Sequence, residues 1–98
     1  MKTHSDKTPL ETVSVHITGR VQGVGYRLAT VRRGHMIGVR GWVRNLDDGS
    51  VEALVQGTPD QVDLMLEWLR QGPPGARVEE IVSKVEFIDR RYDRFEQN

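Results

Sequence analysis

Ninety-eight residues, 37% apolar and 29% charged, fit one compact domain with a core of its own, because a chain this long buries roughly 60–70% of its unfolded surface without metal or disulfide staples. Two-domain enzymes, full dinucleotide folds and (β/α)₈ barrels are too large to fit. Fourteen basic and fourteen acidic side chains cancel, which argues against a nucleic-acid binder, and the lack of cysteine excludes thiol nucleophiles, disulfide scaffolds and cysteine zinc sites and suits a reducing cytoplasm.

Met1 to Thr12 is polar, without the apolar core of a signal peptide, and reads as a flexible tail. The folded domain is expected over residues 13–98, and no stretch is long and apolar enough to span a membrane. Val13, Val15 and Ile17 alternate with Ser14, His16 and Thr18, the period of a half-buried strand. Three glycines between Gly19 and Gly25 then break it. Tyr26 to Met36 reads as a helix whose apolar stripe is Leu28, Val31 and the Met36–Ile37 pair. Gly34 weakens it by about 1 kcal/mol relative to alanine, and Gly38 stops it. Val39 to Leu46 is a second strand, Asp47-Asp48-Gly49-Ser50 a hairpin turn, and Val51 to Gln56 the returning strand. Thr58 caps a second helix, with Pro59 in the first helical position and Gln61 completing a capping box. Val62, Met65, Leu66 and Leu69 recur on one helical face, and Gly72-Pro73-Pro74-Gly75 ends the run. A long strand signal from Arg77 to Ile88 and a short one from Arg94 to Gln97 complete the chain.

The order β-α-β-β-α-β with a short fifth strand implies an α+β architecture of two layers, both helices packed on one face of a mainly antiparallel sheet. Right-handed crossovers in each half make it a ferredoxin-like sandwich.

Charge is spread unevenly along this frame. Residues 12–46 hold six arginines and no Asp or Glu, whereas residues 47–98 hold twelve acids against six bases. The first part therefore builds an anion-attracting surface. Within it, Gly19-Arg20-Val21-Gln22-Gly23-Val24-Gly25-Tyr26-Arg27 joins a strand to a helix N-terminus. Backbone N–H groups there lack intrahelical partners, and the macrodipole adds about half a positive charge. Glycines let successive amides converge on one anion. They would serve any tight turn as well; Arg27, whose planar fork suits two oxygens of one phosphoryl group, is what points to phosphate. No Gly-Lys-Ser/Thr ending or Gly-x-Gly-x-x-Gly is present, which disfavours magnesium-nucleotide chemistry. Asn45, at the end of the second strand, either caps the hairpin or offers a neutral amide to a water or phosphoryl oxygen, and spacing alone favours the cap. His4, His16 and His35 have no ligand spacing, so no metal is expected.

The loop from Gly19 to Arg27, the segment Gly41-Trp42-Val43-Arg44-Asn45 and the turn Asp47-Asp48-Gly49-Ser50-Val51-Glu52 together resemble the acylphosphatase family. Gly57 and Gly72-Pro73 also fit its pattern, as do the eighteen residues separating Arg27 from Asn45, so the resemblance covers roughly residues 13 to 97. It implies a hydrolase that splits the carboxylic–phosphoric anhydride of a small acyl phosphate into a carboxylate and inorganic phosphate, with no cofactor. It further implies that the backbone of Arg20, Val21, Gln22, Gly23 and Val24 cradles the phosphate, that Arg27 clamps it, and that Asn45 positions the attacking water. Thr30 matches a family threonine that supports the site, although a helix-surface threonine fits its position equally well. The chain departs from the family pattern in Tyr26, where Phe is more usual, in Gly34-His35, which interrupts the first helix, and in Met36-Ile37-Gly38-Val39, where Leu-Gly-Leu is common. Two other classes remain open. One is a domain that binds phosphate or acyl phosphate without turnover. The other is an RNA-binding ferredoxin-like module using Trp42 and Phe87, for which the strands lack aromatic-rich motifs. The expected protein is a cytoplasmic monomer acting on a small molecule, without nucleic acid or membrane.

Overall fold

The computed structural model describes residues 9–98. Among them the elements run β1 (Glu11–Arg20), α1 (Tyr26–Ile37), β2 (Arg40–Asn45), β3 (Val51–Gly57), α2 (Pro59–Gln71), β4 (Arg77–Glu86) and β5 (Phe95–Gln97). The strands form one sheet in the order β4-β1-β3-β2-β5, antiparallel except where β5 runs parallel to β2. Both helices cover the face that carries Val13, Val15, Ile17, Val43, Val51, Ala53 and Val55, and the core lies between. This is the expected ferredoxin-like α+β sandwich.

β1 departs from expectation at both ends. Glu11 and Thr12 already pair with Gly57 and Gln56 of β3, so two residues assigned to the tail are strand. Residues 1–8 of that tail lie outside the described residues. At the other end Gly19 does not stop the strand. The register with β4 shifts between Thr18 and Gly19, and Gly19 and Arg20 then face Val78 and Arg77. Such a bulge absorbs one extra residue and increases the local twist without ending the pairing. β2 stops at Asn45 and β4 at Glu86, a residue or two before the expected ends.

α1 buries a face different from the one hydropathy suggested. Its buried residues are Tyr26, Thr30 and Gly34, spaced four apart and so stacked on one side of the helix. Leu28 and Met36 are 51% and 74% exposed, and only Val31 and Ile37 of the expected stripe touch the core. Gly34 does not interrupt the helix either. Phe95 of β5 packs against it so closely that a Cβ would stand 3.0 Å from the ring's Cγ. The small residue is what lets β5 dock.

α2 follows its sequence signals. Thr58 Oγ1 accepts from the Gln61 amide while the Gln61 side chain accepts from the Thr58 amide, closing the capping box. Val62, Met65 and Leu69 are fully buried, with Leu66 at the margin; each such side chain contributes about 1.5–3 kcal/mol by leaving water. The two helices are tied where the site will be built. Tyr26 Oη donates to the Leu69 carbonyl at 2.7 Å, and the Trp68 ring lies 6.0 Å from the Tyr26 ring. The opposite face of the sheet carries Trp42, with the Arg44 guanidinium 5.0 Å from its ring and bonded to Glu52. Phe87 is exposed beyond the end of β4.

Candidate active site

Gly23 and Gly25 take φ of 74° and 78°, left-handed values that an L side chain rarely adopts. A Cβ at either would meet nothing within 4 Å. The requirement for glycine is therefore conformational, and it curls the loop so that it enters α1 directly. Gly25 is the N-cap of α1, and no side chain bonds to the helix start, where no acidic residue stands. Amides of that first turn are left for an outside acceptor. Val21, 1% exposed, pins the preceding part of the loop in the core.

Asn45 reaches the same place from the sheet. Side chains alternate along a strand, and Val43 is buried under the helices, so Asn45, two residues on, shares the helix-facing side. Gln22 locks loop and strand end together, its Nε2 donating to the carbonyls of Leu46 (2.7 Å) and Ser50 (2.8 Å). The hairpin is closed in turn by Asp48, whose carboxylate accepts from the amide and hydroxyl of Ser50, and by a His16 Nε2–Ser50 Oγ contact of 2.9 Å. Hydrogen bonds from the Ser50 hydroxyl, then from its amide, hold the Asp48 carboxyl below its usual range. Arg27, in the first turn of α1, is steadied by the residue that follows β5: its Nη1 donates to the Asn98 carbonyl at 2.9 Å. Asn98 is itself fixed by donation from its amide to the Val43 carbonyl at 2.9 Å. Val21, Gln22, Gly23, Arg27 and Asn45 thus line one cavity of about 170 Å³, completed by Gly25, Tyr26, Leu28 and Gln97.

Residues 13–97 match the acylphosphatase family. The chain belongs to that family. It is 64% identical over 88 residues to the acylphosphatase of Bordetella parapertussis, covering 90% of this chain and 94% of the relative. Against the acylphosphatase of Paraburkholderia xenovorans it is 57% identical over 89 residues, or 91% and 92% of the two chains. The solved structure of an acylphosphatase from Coxiella burnetii matches with a TM-score of 0.88 at 29% identity, over 94% of this chain and 96% of that one. That of Bacillus subtilis acylphosphatase gives 0.87 at 30% identity, over 92% and 99%. The family and these relatives support a hydrolase acting on acid anhydrides, the reaction class that the resemblance implied.

Of the acylphosphatase residues carried over from the sequence, the cavity gathers Val21, Gln22, Gly23, Arg27 and Asn45. Arg20 and Val24 lie outside its lining. Arg20 is the last residue of β1, paired with Arg77 and exposed, and Val24 turns its side chain against the core. The Gln22 side chain bonds the hairpin, which leaves its backbone for the cavity. Thr30 is neither on the helix surface nor in the lining: it is fully buried, its hydroxyl donating to the Tyr26 carbonyl at 2.7 Å. Sequence reasoning missed Gly25 and Tyr26 as lining residues although both lie inside the motif. It placed Leu28 in the core because Leu is apolar. Nothing local signals Gln97, which reaches the cavity only because β5 runs parallel beside β2. No helix among the described residues is long and apolar enough to cross a membrane.

Proposed function

We propose that the chain hydrolyses the carboxyl–phosphate bond of small acyl phosphates, with the phosphoryl group held by the amides of the loop around Val21, Gln22 and Gly23 and by the Arg27 fork. The observation that carries the reading is the convergence of this loop, Arg27 and Asn45 on one cavity. Phosphoryl transfer depends mainly on positioning and on stabilising charge over the equatorial oxygens, and a guanidinium beside convergent amides supplies both. Asn45 aligns a water with the phosphorus. The water oxygen bonds to phosphorus as the phosphorus–oxygen bond to the acyl group breaks, and the electron pair departs with the carboxylate. A carboxylate leaves without being protonated, so no general acid is required. The water's proton passes to a phosphate oxygen of the substrate, and the reaction needs no cofactor or metal. The chain acts on a small molecule as a monomer, and its lack of cysteine suits a reducing cytoplasm.

The test is steady-state hydrolysis of benzoyl phosphate in the presence of a chelator. Wild type turns over. Arg27→Ala loses about 10²–10³ in rate, as removal of one charge-stabilising donor does, and Arg27→Lys recovers little of it because a point charge cannot replace the fork. Asn45→Ala is likewise crippled. A wild type that binds inorganic phosphate and turns nothing over would make this a binding domain instead.

A further inference from the structure

Ser50 reads in the sequence as one residue of a hairpin turn, but the fold buries it and engages each of its polar atoms. Its carbonyl accepts from two donors at 2.8 Å: the Leu46 amide, next to Asn45, and the Gln22 side chain of the loop before α1. Its amide and hydroxyl both bond to the Asp48 carboxylate, and the hydroxyl also meets His16 Nε2 at 2.9 Å. Ser50 therefore joins the strand end that carries Asn45 to the loop that lines the cavity, and His16 ties both to β1. His16 does so from the open face of the sheet, because Val15 and Ile17 on either side of it are buried under the helices. Glu52, opposite His16 on β3, is taken by Arg44. Proton counting fixes the direction of the His16 bond. A serine hydroxyl has one proton, and an ionised carboxylate can only accept. The Ser50 proton therefore lies towards Asp48, and His16 Nε2 must carry the hydrogen of its own contact.

We infer that Ser50 and His16 are positioning residues for the hydrolysis: together they hold the Asn45 amide in register with the loop, so that its water lies in line with the phosphorus. These roles rest on the placement of phosphate and water proposed above. The phosphate is gripped by backbone amides and by Arg27, which is steadied separately through Asn98. Loosening the Ser50–His16 pair therefore shifts the water more than the phosphate. A misplacement of about 1 Å can cost about 10²-fold in rate. Loss of the hydroxyl contact alone leaves both carbonyl bonds of Ser50 in place, so the cost is smaller, about five- to tenfold in kcat.

The test measures kcat and KM for benzoyl phosphate, and binding of inorganic phosphate, in wild type, Ser50→Ala, His16→Phe, His16→Gln and the double variant of Ser50→Ala with His16→Phe. Thermal unfolding of each is recorded alongside. His16→Phe keeps a ring and loses the donor, whereas His16→Gln keeps an N–H within similar reach. Ser50→Ala and His16→Phe lower kcat and leave phosphate affinity unchanged, the pattern of a contribution made in the transition state. The double variant falls no further than the worse single variant, because both changes break the same bond. His16→Gln recovers most of the turnover, and heteronuclear NMR of the imidazole finds the hydrogen on Nε2. Wild-type kcat in both single variants, whatever their melting temperatures, overturns the positioning roles and leaves the hydrolysis standing. Parallel loss of phosphate affinity and kcat does the same, since it assigns the pair to the phosphate cradle. His16→Gln as slow as His16→Phe, or an Nε2 without hydrogen, overturns the role of His16 as donor. A wild type that does not hydrolyse benzoyl phosphate overturns the placement of the water, and the pair with it.

Discussion

Tyr26 stands between the helices, its hydroxyl on the Leu69 carbonyl and its ring against Trp68, and Arg27 follows it directly. The side chain that departs from the usual Phe thereby fixes the start of α1 to the end of α2. Tyr26→Phe removes one buried hydrogen bond worth about 1 kcal/mol, which lowers Tm by about 4–8 °C for a domain of this size, while benzoyl phosphate turnover stays close to wild type. Burial also raises the Tyr26 pKa well above its ordinary value. The folded state therefore keeps the phenol neutral after the unfolded chain has begun to ionise near pH ~10. Its stability contribution is complete below that pH and is lost as pH rises above it. Urea unfolding at pH 8 and pH 11 should show a smaller alkaline loss in Tyr26→Phe than in wild type; equal losses would contradict the assignment. The sequence flagged Tyr26 as unusual but held no sign of its partner, forty-three residues away.

The hairpin between β2 and β3 and the loop before α1 behave as one unit, because Gln22 spans them and Asp48 closes the turn. Asp48 has its folded pKa lowered by its Ser50 hydrogen bonds. That stabilisation is therefore present above the unfolded carboxylate pKa of about 4 and disappears as pH falls through the lower folded value. Asp48→Asn should lose stability at pH 7 and show a shallower further loss towards pH 3 than wild type, read by thermal unfolding at both pH values. Parallel acid limbs would remove Asp48 from the account. Both this turn and α2 were readable from sequence, since Asp-Gly chemistry and the Thr58–Gln61 capping box act over a few residues. The buried face of α1 was not. A stripe of Tyr, Thr and Gly carries little hydropathy, and Gly34 makes sense only once Phe95 of β5 is seen against it. At Gly41 a Cβ would fall 1.8 Å from the Leu54 carbonyl, so the glycine of the Gly-Trp-Val-Arg-Asn segment answers to strand packing, which no local pattern shows.

Across the whole molecule, the cavity collects segments that are distant in sequence: the loop after β1, the end of β2 and the C-terminal strand. The two-layer order followed from hydrophobic periodicity, but the strand order did not, because edge pairing such as β2 with β5 is decided by tertiary contacts. The charge asymmetry survives folding. Ion pairs among the described residues are Arg44–Glu52 and Arg94–Glu96, so Arg20, Arg27, Arg32, Arg33 and Arg40 keep their charge unpaired there and add to an anion-attracting field. The division of labour between Arg27 and Asn45 is the core of this account, and binding of inorganic phosphate to wild type, Arg27→Ala and Asn45→Ala, followed by phosphorus NMR or calorimetry beside benzoyl phosphate turnover, tests it most directly. Asn45→Ala should bind phosphate as wild type does while turning over little, and Arg27→Ala should lose both. Phosphate binding lost in Asn45→Ala, or kept intact in Arg27→Ala, would contradict it.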